Sequence, residues 1–165
     1  MSVEDFTGGD RFVTDYFRAE LLSRLPQVEA KFLKHTSVLE RMSGSLCDAV
    51  LEATGSAHTL ETLARTNGFV VPLDRRGEWY RYHHLFGELL RKELEHTEPE
   101  VVPGLDAHAM TWCIANGRPE DAIVYGHAAG ETSTVAGLLD ALALPAYYDG
   151  RSETLEEWLS WFDDD

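Results

Sequence analysis

A change of hydrophobic period near the middle of the chain constrains the fold most. Two short runs, Phe69–Leu73 and Glu78–Tyr82, flank a polar turn at Asp74–Gly77. The runs carry the β-branched and aromatic residues that suit a strand. The next apolar residues instead recur at helical spacing, and they are Leu85, Phe86, Leu89, Leu90 and Leu94. The pattern predicts a β-hairpin that leads directly into an amphipathic helix, which is how a winged-helix unit ends.

The segments before this hairpin are predicted to be helical. Apolar residues at helical spacing indicate a first helix over Asp10–Leu25, and Pro26 ends it. A second helix is predicted to follow Pro26. The order of these elements is that of a helical region leading into a winged helix.

Two shorter helices are predicted between these helices and the hairpin. Ser45–Asp48 has the form of a capping box, which predicts a helix through Leu51 that Thr54 and Gly55 stop. Ser56 is predicted to cap a helix that ends at Asn67 and Gly68. These helices and the hairpin complete a winged-helix-like unit over residues 1–98.

The C-terminal part of the chain repeats itself. Residues 115–120 align with residues 148–153 at an offset of 33, and each segment carries a glycine at its third position. That period is typical of helix–turn–helix repeats of the tetratricopeptide kind. Gly117 is predicted to adopt the left-handed turn, and Pro119 to occupy the first turn of the next helix. The fold class is therefore mainly α, with antiparallel TPR-like helix pairs over residues 99–165, as expected for part of a longer array.

Composition excludes several classes of function. The formal net charge of −15, from 14 basic and 29 acidic residues, opposes binding of this chain alone to nucleic acid. Two cysteines without CxxC spacing favour a reducing compartment, and no apolar run is long enough to span a membrane. We expect a cytoplasmic protein.

Several segments in order carry a family resemblance. They are Arg11–Tyr16, Thr36–Arg41, Leu46–Val50, Phe69–Leu73, Trp79–Phe86 and Asn116–Ile123. The chain resembles the central part of large bacterial LuxR-type, MalT-like transcription regulators with a STAND ATPase core. The most specific match is Trp79–Phe86, and the resemblance extends from Asp10 to Trp161.

The resemblance implies a non-catalytic fragment. In that family a P-loop NTPase precedes the winged helix, inducer-sensing repeats follow it, and a C-terminal LuxR-type domain binds DNA. This chain has no G-x-x-x-x-G-K-[ST] motif and no catalytic acid–base set, so ATP or ADP would be bound by the parent protein. The expected function is to couple the NTPase domain to the sensor repeats. Expected partners are those domains and a protein or small-molecule inducer, without direct nucleic-acid or membrane binding.

An alternative is a protein-interaction scaffold whose repeats bind a partner protein. The same combination of regions also occurs fused to a serine/threonine kinase, so the output of the parent could be phosphorylation. The sequence of this chain does not separate the two alternatives.

His83 is the candidate site residue. It is predicted at the first turn of a helix, where free N–H groups favour an anion. In related STAND ATPases of apoptosis and plant immunity, a Met-His-Asp motif opens the equivalent helix, and its histidine contacts ADP. Tyr82-His83-His84 is similar, except that His84 replaces the acidic residue. The alternative is that both histidines cap the helix or pack against the hairpin.

Other candidates have ordinary structural explanations. Arg75 and Arg76 could reach a phosphate backbone but are interpreted as solvated turn residues. The histidines and cysteines have no spacing that predicts a metal site. Aromatic residues of the repeats are expected in the core rather than on a ligand-binding face, and they are Trp112, Tyr125, Trp158 and Trp161.

Overall fold

Helices dominate the computed structural model, which describes residues 16–66 and 69–162. Within that part of the chain the strands form a single two-stranded hairpin. The predicted mainly α fold with one hairpin is therefore confirmed. The chain divides into two compact units after Leu105.

The first unit has the element order of a winged helix. A π-helical segment, Phe17–Leu22, comes first. It is followed by α1 (Gln27–Thr36), α2 (Gly44–Leu51), α3 (Ser56–Thr66), β1 (Val70–Pro72), β2 (Tyr80–Tyr82) and α4 (His84–Thr97).

The predicted first helix differs at its end. Residues 10–15 lie outside the described residues, and the helical structure stops at Leu22 rather than Leu25. The backbone N–H of Leu25 donates to the Leu22 carbonyl at 3.3 Å, which closes a tighter turn. Pro26 follows at once, and the residue before a proline disfavours helical backbone angles.

The hairpin pairs β1 with β2 in antiparallel register, with Val70 opposite Tyr82 and Pro72 opposite Tyr80. Both strands are shorter than predicted. The Asp74 carboxylate accepts hydrogen bonds from the backbone N–H groups of Glu78 at 3.0 Å and Trp79 at 3.2 Å. These two amides therefore belong to the turn and not to the ladder.

A third chain segment, at Met42, extends the hairpin. The N–H of Met42 donates to the Tyr80 carbonyl at 2.7 Å, and the N–H of Tyr80 donates back at 2.8 Å. Met42 is fully buried. A single paired residue forms no periodic pattern, so the sequence did not predict this pairing. The pairing makes β2 the central segment of a small sheet, with β1 on one side and Met42 on the other. All three segments lie between α1 and α4 in the chain.

The start of α2 was predicted wrongly and its end correctly. Ser43, not Ser45, caps α2, because its hydroxyl accepts the N–H of Leu46 at 3.2 Å. The helix ends at Leu51, as predicted, although the residue that stops it is Glu52, with a left-handed φ of 52°, and not Thr54 or Gly55.

Ser56 is not a capping residue, contrary to prediction. It is the first residue of α3 and is buried. Its own N–H donates to the Asp48 carboxylate at 3.0 Å. A side chain of α2 therefore satisfies a free donor at the start of α3 and fixes the turn between the two helices.

Helices α2 and α3 approach each other closely where each of them begins. A Cβ atom on Gly44 would lie 2.5 Å from the Cβ of Ala57, a distance that packed atoms cannot reach. Glycine at the start of α2 therefore allows this crossing.

The core of the first unit is formed by every one of its elements from α1 to α4. Fully or almost fully buried apolar side chains include Leu33, Met42, Cys47, Val50, Leu60, Val70, Leu90 and Leu94. Each such leucine contributes roughly 1.5–3 kcal/mol by leaving water.

The second unit is helical. Its helices are α5 (Val102–Ala115, which begins just before the division), α6 (Pro119–Ala129), α7 (Thr132–Tyr148) and α8 (Ser152–Ser160). Gly117 has φ 69° and Pro119 lies in the first turn of α6, as predicted. Gly150, at the equivalent repeat position, has φ 75°.

Packing in this unit centres on α7. Ile123, Val135, Leu139 and Trp158 form a buried cluster shared by α6, α7 and α8. A Cβ atom on Gly126 would lie 2.7 Å from Cγ2 of Val135, so glycine permits α6 and α7 to approach. Glu120 forms an ion pair with Arg151, which joins the starts of α6 and α8.

Candidate functional site

His83 lies between the hairpin and α4, at the position that caps the helix. Its N–H donates to the Phe69 carbonyl at 2.7 Å, and its carbonyl accepts the N–H of Gly87 at 2.9 Å. The backbone is thus held by the residue before β1 on one side and by α4 on the other. The imidazole is exposed and makes no capping hydrogen bond.

His84 has a different environment. It is the first residue of α4, its side chain is 85% exposed, and its Nε2 lies 3.1 Å from Oε1 of Glu88. This is a one-turn pair on the helix surface, of a kind that contributes little to stability. His84 therefore neither caps the helix nor packs into the hairpin.

A buried hydroxyl chain fixes the residue before His83. Tyr82 Oη lies 2.6 Å from Thr36 Oγ1, which in turn donates to the Phe32 carbonyl at 2.7 Å. A threonine hydroxyl has one proton, so Tyr82 must be the donor to Thr36. Burial raises the pKa of Tyr82 above its usual value, which keeps the phenol protonated for this role. The end of β2 is therefore bound to the end of α1.

Aromatic packing supports the same junction from the other side. The rings of Phe69 and Phe86 stack with centroids 4.3 Å apart, and Tyr82 meets Phe86 edge-on at 5.8 Å. A Cβ atom on Gly87 would come within 3.2 Å of the Tyr82 Cβ. The first turn of α4 thus lies close against β2.

Arg81 shares the exposed face of β2 with His83. Tyr80 and Tyr82 are buried, and the two residues that alternate with them, Arg81 and His83, are exposed. Arg81 was not predicted as a site residue, although its period-two alternation with the tyrosines indicates an exposed position.

The surfaces that read DNA in winged helices are not strongly basic here. Arg75 and Arg76 are exposed at the tip of the hairpin, beside the turn that Asp74 organises. On α3, exposed Arg65 is accompanied by exposed Glu61.

A polar cluster joins the ends of α1 and α4. Glu98 accepts a hydrogen bond from Lys34 Nζ at 3.1 Å, and His35 Nε2 lies 3.4 Å from its other oxygen. Burial opposes ionisation of Glu98, but the bonds and charges of Lys34 and His35 outweigh it and lower its pKa. This cluster could not be predicted from the sequence, because Glu98 lies more than sixty residues from Lys34 and His35.

A groove of about 900 Å³ lies between α1 and α3. Its lining is mainly apolar, with Val28, Phe32 and Leu63 among the apolar side chains. Its polar part includes Glu29 and Lys31 of α1 and the threonines of α3, Thr59, Thr62 and Thr66.

The aromatic residues of the second unit fall into two groups. Tyr125 and Trp158 are buried, as expected for core residues, and Trp112 is partly buried. Trp161 stacks on the exposed His127, with ring centroids 3.9 Å apart. The four aromatic side chains do not form a common exposed face.

Other chemistry is sparse in the described part of the chain. No group of three or more His, Cys, Asp or Glu side chains there is placed to hold a metal ion. Burial raises the pKa of Cys47 to about 12 and that of Cys113 to about 11, so both thiols stay protonated. None of the helices described is both long and apolar enough to cross a membrane.

Sequence comparison agrees with the winged-helix geometry. Residues 18–102, just over half of the chain, match the MalT winged helix domain. The HTH-type transcriptional regulator MalT of Vibrio campbellii is 27% identical over 92% of this chain. The protein of the same name from Klebsiella pneumoniae strain 342 is 29% identical over 90%, and that from K. pneumoniae subsp. pneumoniae is 30% identical over 77%.

The match covers a small part of those regulators. The chain spans 17% of the length of the Vibrio protein and 16% of that of the strain 342 protein. Helices α1 to α4, the hairpin and the junction at His83 all lie in the matched range of residues 18–102. The chain belongs to the MalT winged helix domain family.

Proposed function

We propose that this chain is a non-catalytic coupling segment of a STAND-type, LuxR-family transcription regulator. In the parent protein it would connect a nucleotide-binding NTPase domain to sensor repeats and to a C-terminal DNA-binding domain. The similarity to regulators named MalT supports this assignment. The segment contributes a conformational response, and ATP or ADP is bound elsewhere in the parent.

The observation that carries the proposal is the contrast between the backbone and the side chain of His83. Its backbone is bonded to the residue before β1 and to α4, while its imidazole is exposed at the start of a 14-residue helix. An imidazole N–H there would donate to a phosphate that the NTPase domain holds. Such a contact exists only while the winged helix is docked on that domain, so it would favour the docked, resting state.

The experiment compares two adjacent histidines in the full-length parent. His83→Ala should raise basal reporter output without inducer, because the docked state loses a charged hydrogen bond. His84→Ala is the matched control, since it removes an imidazole that pairs with Glu88 on the helix surface. Equal output from wild type and His83→Ala, with normal protein levels, would contradict the proposal.

A second candidate function is a protein-interaction scaffold. The end of α7 exposes large apolar side chains, with Leu144 67% and Tyr148 81% exposed. A partner protein or a further repeat could cover them. The test is whether the isolated chain pulls down a partner protein. Loss of that binding in the double variant Leu144→Ser/Tyr148→Ser, with binding retained in the control Thr111→Ser, would favour this alternative.

A further inference from the structure

A short 3₁₀ turn, Pro99–Val101, forms the connector between α4 and α5. None of these three described residues is buried, and Pro99 has no N–H group. The N–H of Val101 donates to the Glu98 carbonyl at 3.2 Å, which is a bond within the turn itself. The connector therefore depends on the residue before it, Glu98, for a tie to the rest of the first unit.

Glu98 ends α4 and begins the connector, and its side chain reaches the last turn of α1. Its Oε2 accepts a hydrogen bond from Lys34 Nζ at 3.1 Å, and its Oε1 lies 3.4 Å from His35 Nε2. The side chains of Lys34, His35 and Glu98 are only 21%, 10% and 33% exposed, so water screens these contacts incompletely. One carboxylate thus ties the start of the connector to α1.

The Glu98 carboxylate lies where two helices end, which is an unfavourable place for an anion. It follows the last residue of α4, and it contacts the last turn of α1. The C-terminal end of a helix carries a partial negative charge, which favours cations such as Lys34 and His35 and disfavours a carboxylate. Without these two partners the carboxylate would turn into solvent, because it is already partly exposed. The contact therefore has a closed state and an open state.

We propose that Lys34, His35 and Glu98 form a clasp that keeps the connector ordered, and that opening of the clasp frees the connector while the winged helix stays folded. Burial of Leu33 on α1 and Leu90 on α4 holds these helices in the core independently of the clasp. In the parent, a closed clasp would pass movements of the winged helix to the repeats through the connector, and an open clasp would not. This consequence rests on the proposed function, whereas the clasp itself does not.

Amide hydrogen exchange in the 165-residue chain tests the clasp. The protection factor of the Val101 amide should fall about fivefold in Glu98→Gln, because the closed state is lost. Lys34→Met leaves His35 in place and should lower it about threefold. The matched controls remove exposed charges nearby: Lys31→Met is one turn earlier on α1, and Glu100→Gln is within the connector. Both controls should match wild type, and equal losses in controls and clasp variants would overturn the proposal.

The double variant Lys34→Met/Glu98→Gln shows whether the two residues act through one contact. Its protection factor at Val101 should equal that of Glu98→Gln, because the clasp is already open in that variant. Two losses that multiply would overturn the proposal.

A low concentration of urea separates opening of the connector from unfolding of the whole unit. Exchange at Val101 should be nearly independent of urea, because little surface is exposed when the clasp opens. Exchange at Leu90, in the core of α4, should be slower and should rise steeply with urea. Equal rates and equal urea dependence at the two amides in wild type would overturn the proposal, since the connector would then open only when the winged helix unfolds.

Discussion

The phenol of Tyr82 donates a hydrogen bond of 2.6 Å to the hydroxyl of Thr36, which itself donates to the carbonyl of Phe32. These bonds join the last residue of β2 to the last turn of α1 inside the core. Because His83 follows Tyr82, the same bonds fix where the candidate site begins. Because Tyr82 donates and Thr36 accepts, removing one hydroxyl is expected to change the free energy of unfolding by a different amount from removing the other.

Tyr82→Phe should lower the free energy of unfolding by about 1–2 kcal/mol, because Thr36 keeps its bond to Phe32. Thr36→Val should cost more, about 2–3 kcal/mol, because it leaves a buried phenol without an acceptor. Urea unfolding of both single variants and of the double variant measures these values. A larger loss in Tyr82→Phe than in Thr36→Val would show that the bond runs the other way.

Gly126→Ala should destabilise the second unit by about 1–3 kcal/mol, because the added Cβ overpacks the interface of α6 and α7. That atom would lie 2.7 Å from Cγ2 of Val135 and 2.8 Å from Sδ of Met110. Gly137→Ala is the matched control, since no atom lies within 4 Å of its added Cβ. The control should be neutral or stabilising by up to about 1 kcal/mol, because alanine favours helix. Thermal unfolding that orders the two variants the other way would refute this account of the packing.

Glu98 should make stability depend on acidity. Its pKa is lowered in the folded state, so its contribution is present above the unfolded value and disappears as pH falls through the folded value. Wild type should therefore lose more stability than Glu98→Gln between about pH 5 and pH 3. Glu100→Gln, an exposed glutamate nearby in the chain, should behave like wild type. If the free energy of unfolding falls equally in wild type and Glu98→Gln over this pH range, Glu98 does not stabilise the fold through its bonds to Lys34 and His35.

The two cysteines should report separately on the two units. Cys47 is buried in the first unit and Cys113 in the second, and burial raises the pKa of both thiols. Neither should react with a thiol reagent at about pH 8 until its unit opens, because the thiolate is the reactive form. Mass spectrometry of partly denatured protein identifies which cysteine is labelled first. Rapid labelling of either residue in the native protein would show that its surroundings are open.

The hairpin and α4 could be predicted from the sequence because each has a regular period. Tyr80 and Tyr82 alternate with exposed residues, and Leu90 and Leu94 are one turn apart in a buried stripe. The left-handed turn at Gly117 was likewise predicted, and Gly150 adopts the same conformation at the equivalent repeat position.

Features that depend on distant residues were not predicted. Asp48 bonds to the amide of Ser56 across a turn, and Met42 pairs with Tyr80 across almost forty residues. Neither involves a local pattern. His83 was predicted in the first turn of a helix, and the structure places it one residue earlier, at the position before α4 begins.

The central claim, that His83 contacts nucleotide phosphate in the parent, is tested most directly by the rate at which purified full-length protein releases ADP. A charged hydrogen bond contributes roughly 1.5–3 kcal/mol, so His83→Ala should release ADP about tenfold faster or more. His84→Ala should match wild type. Equal release rates for all three proteins, with the fold intact, would contradict the claim and leave His83 as an exposed residue at the start of a helix.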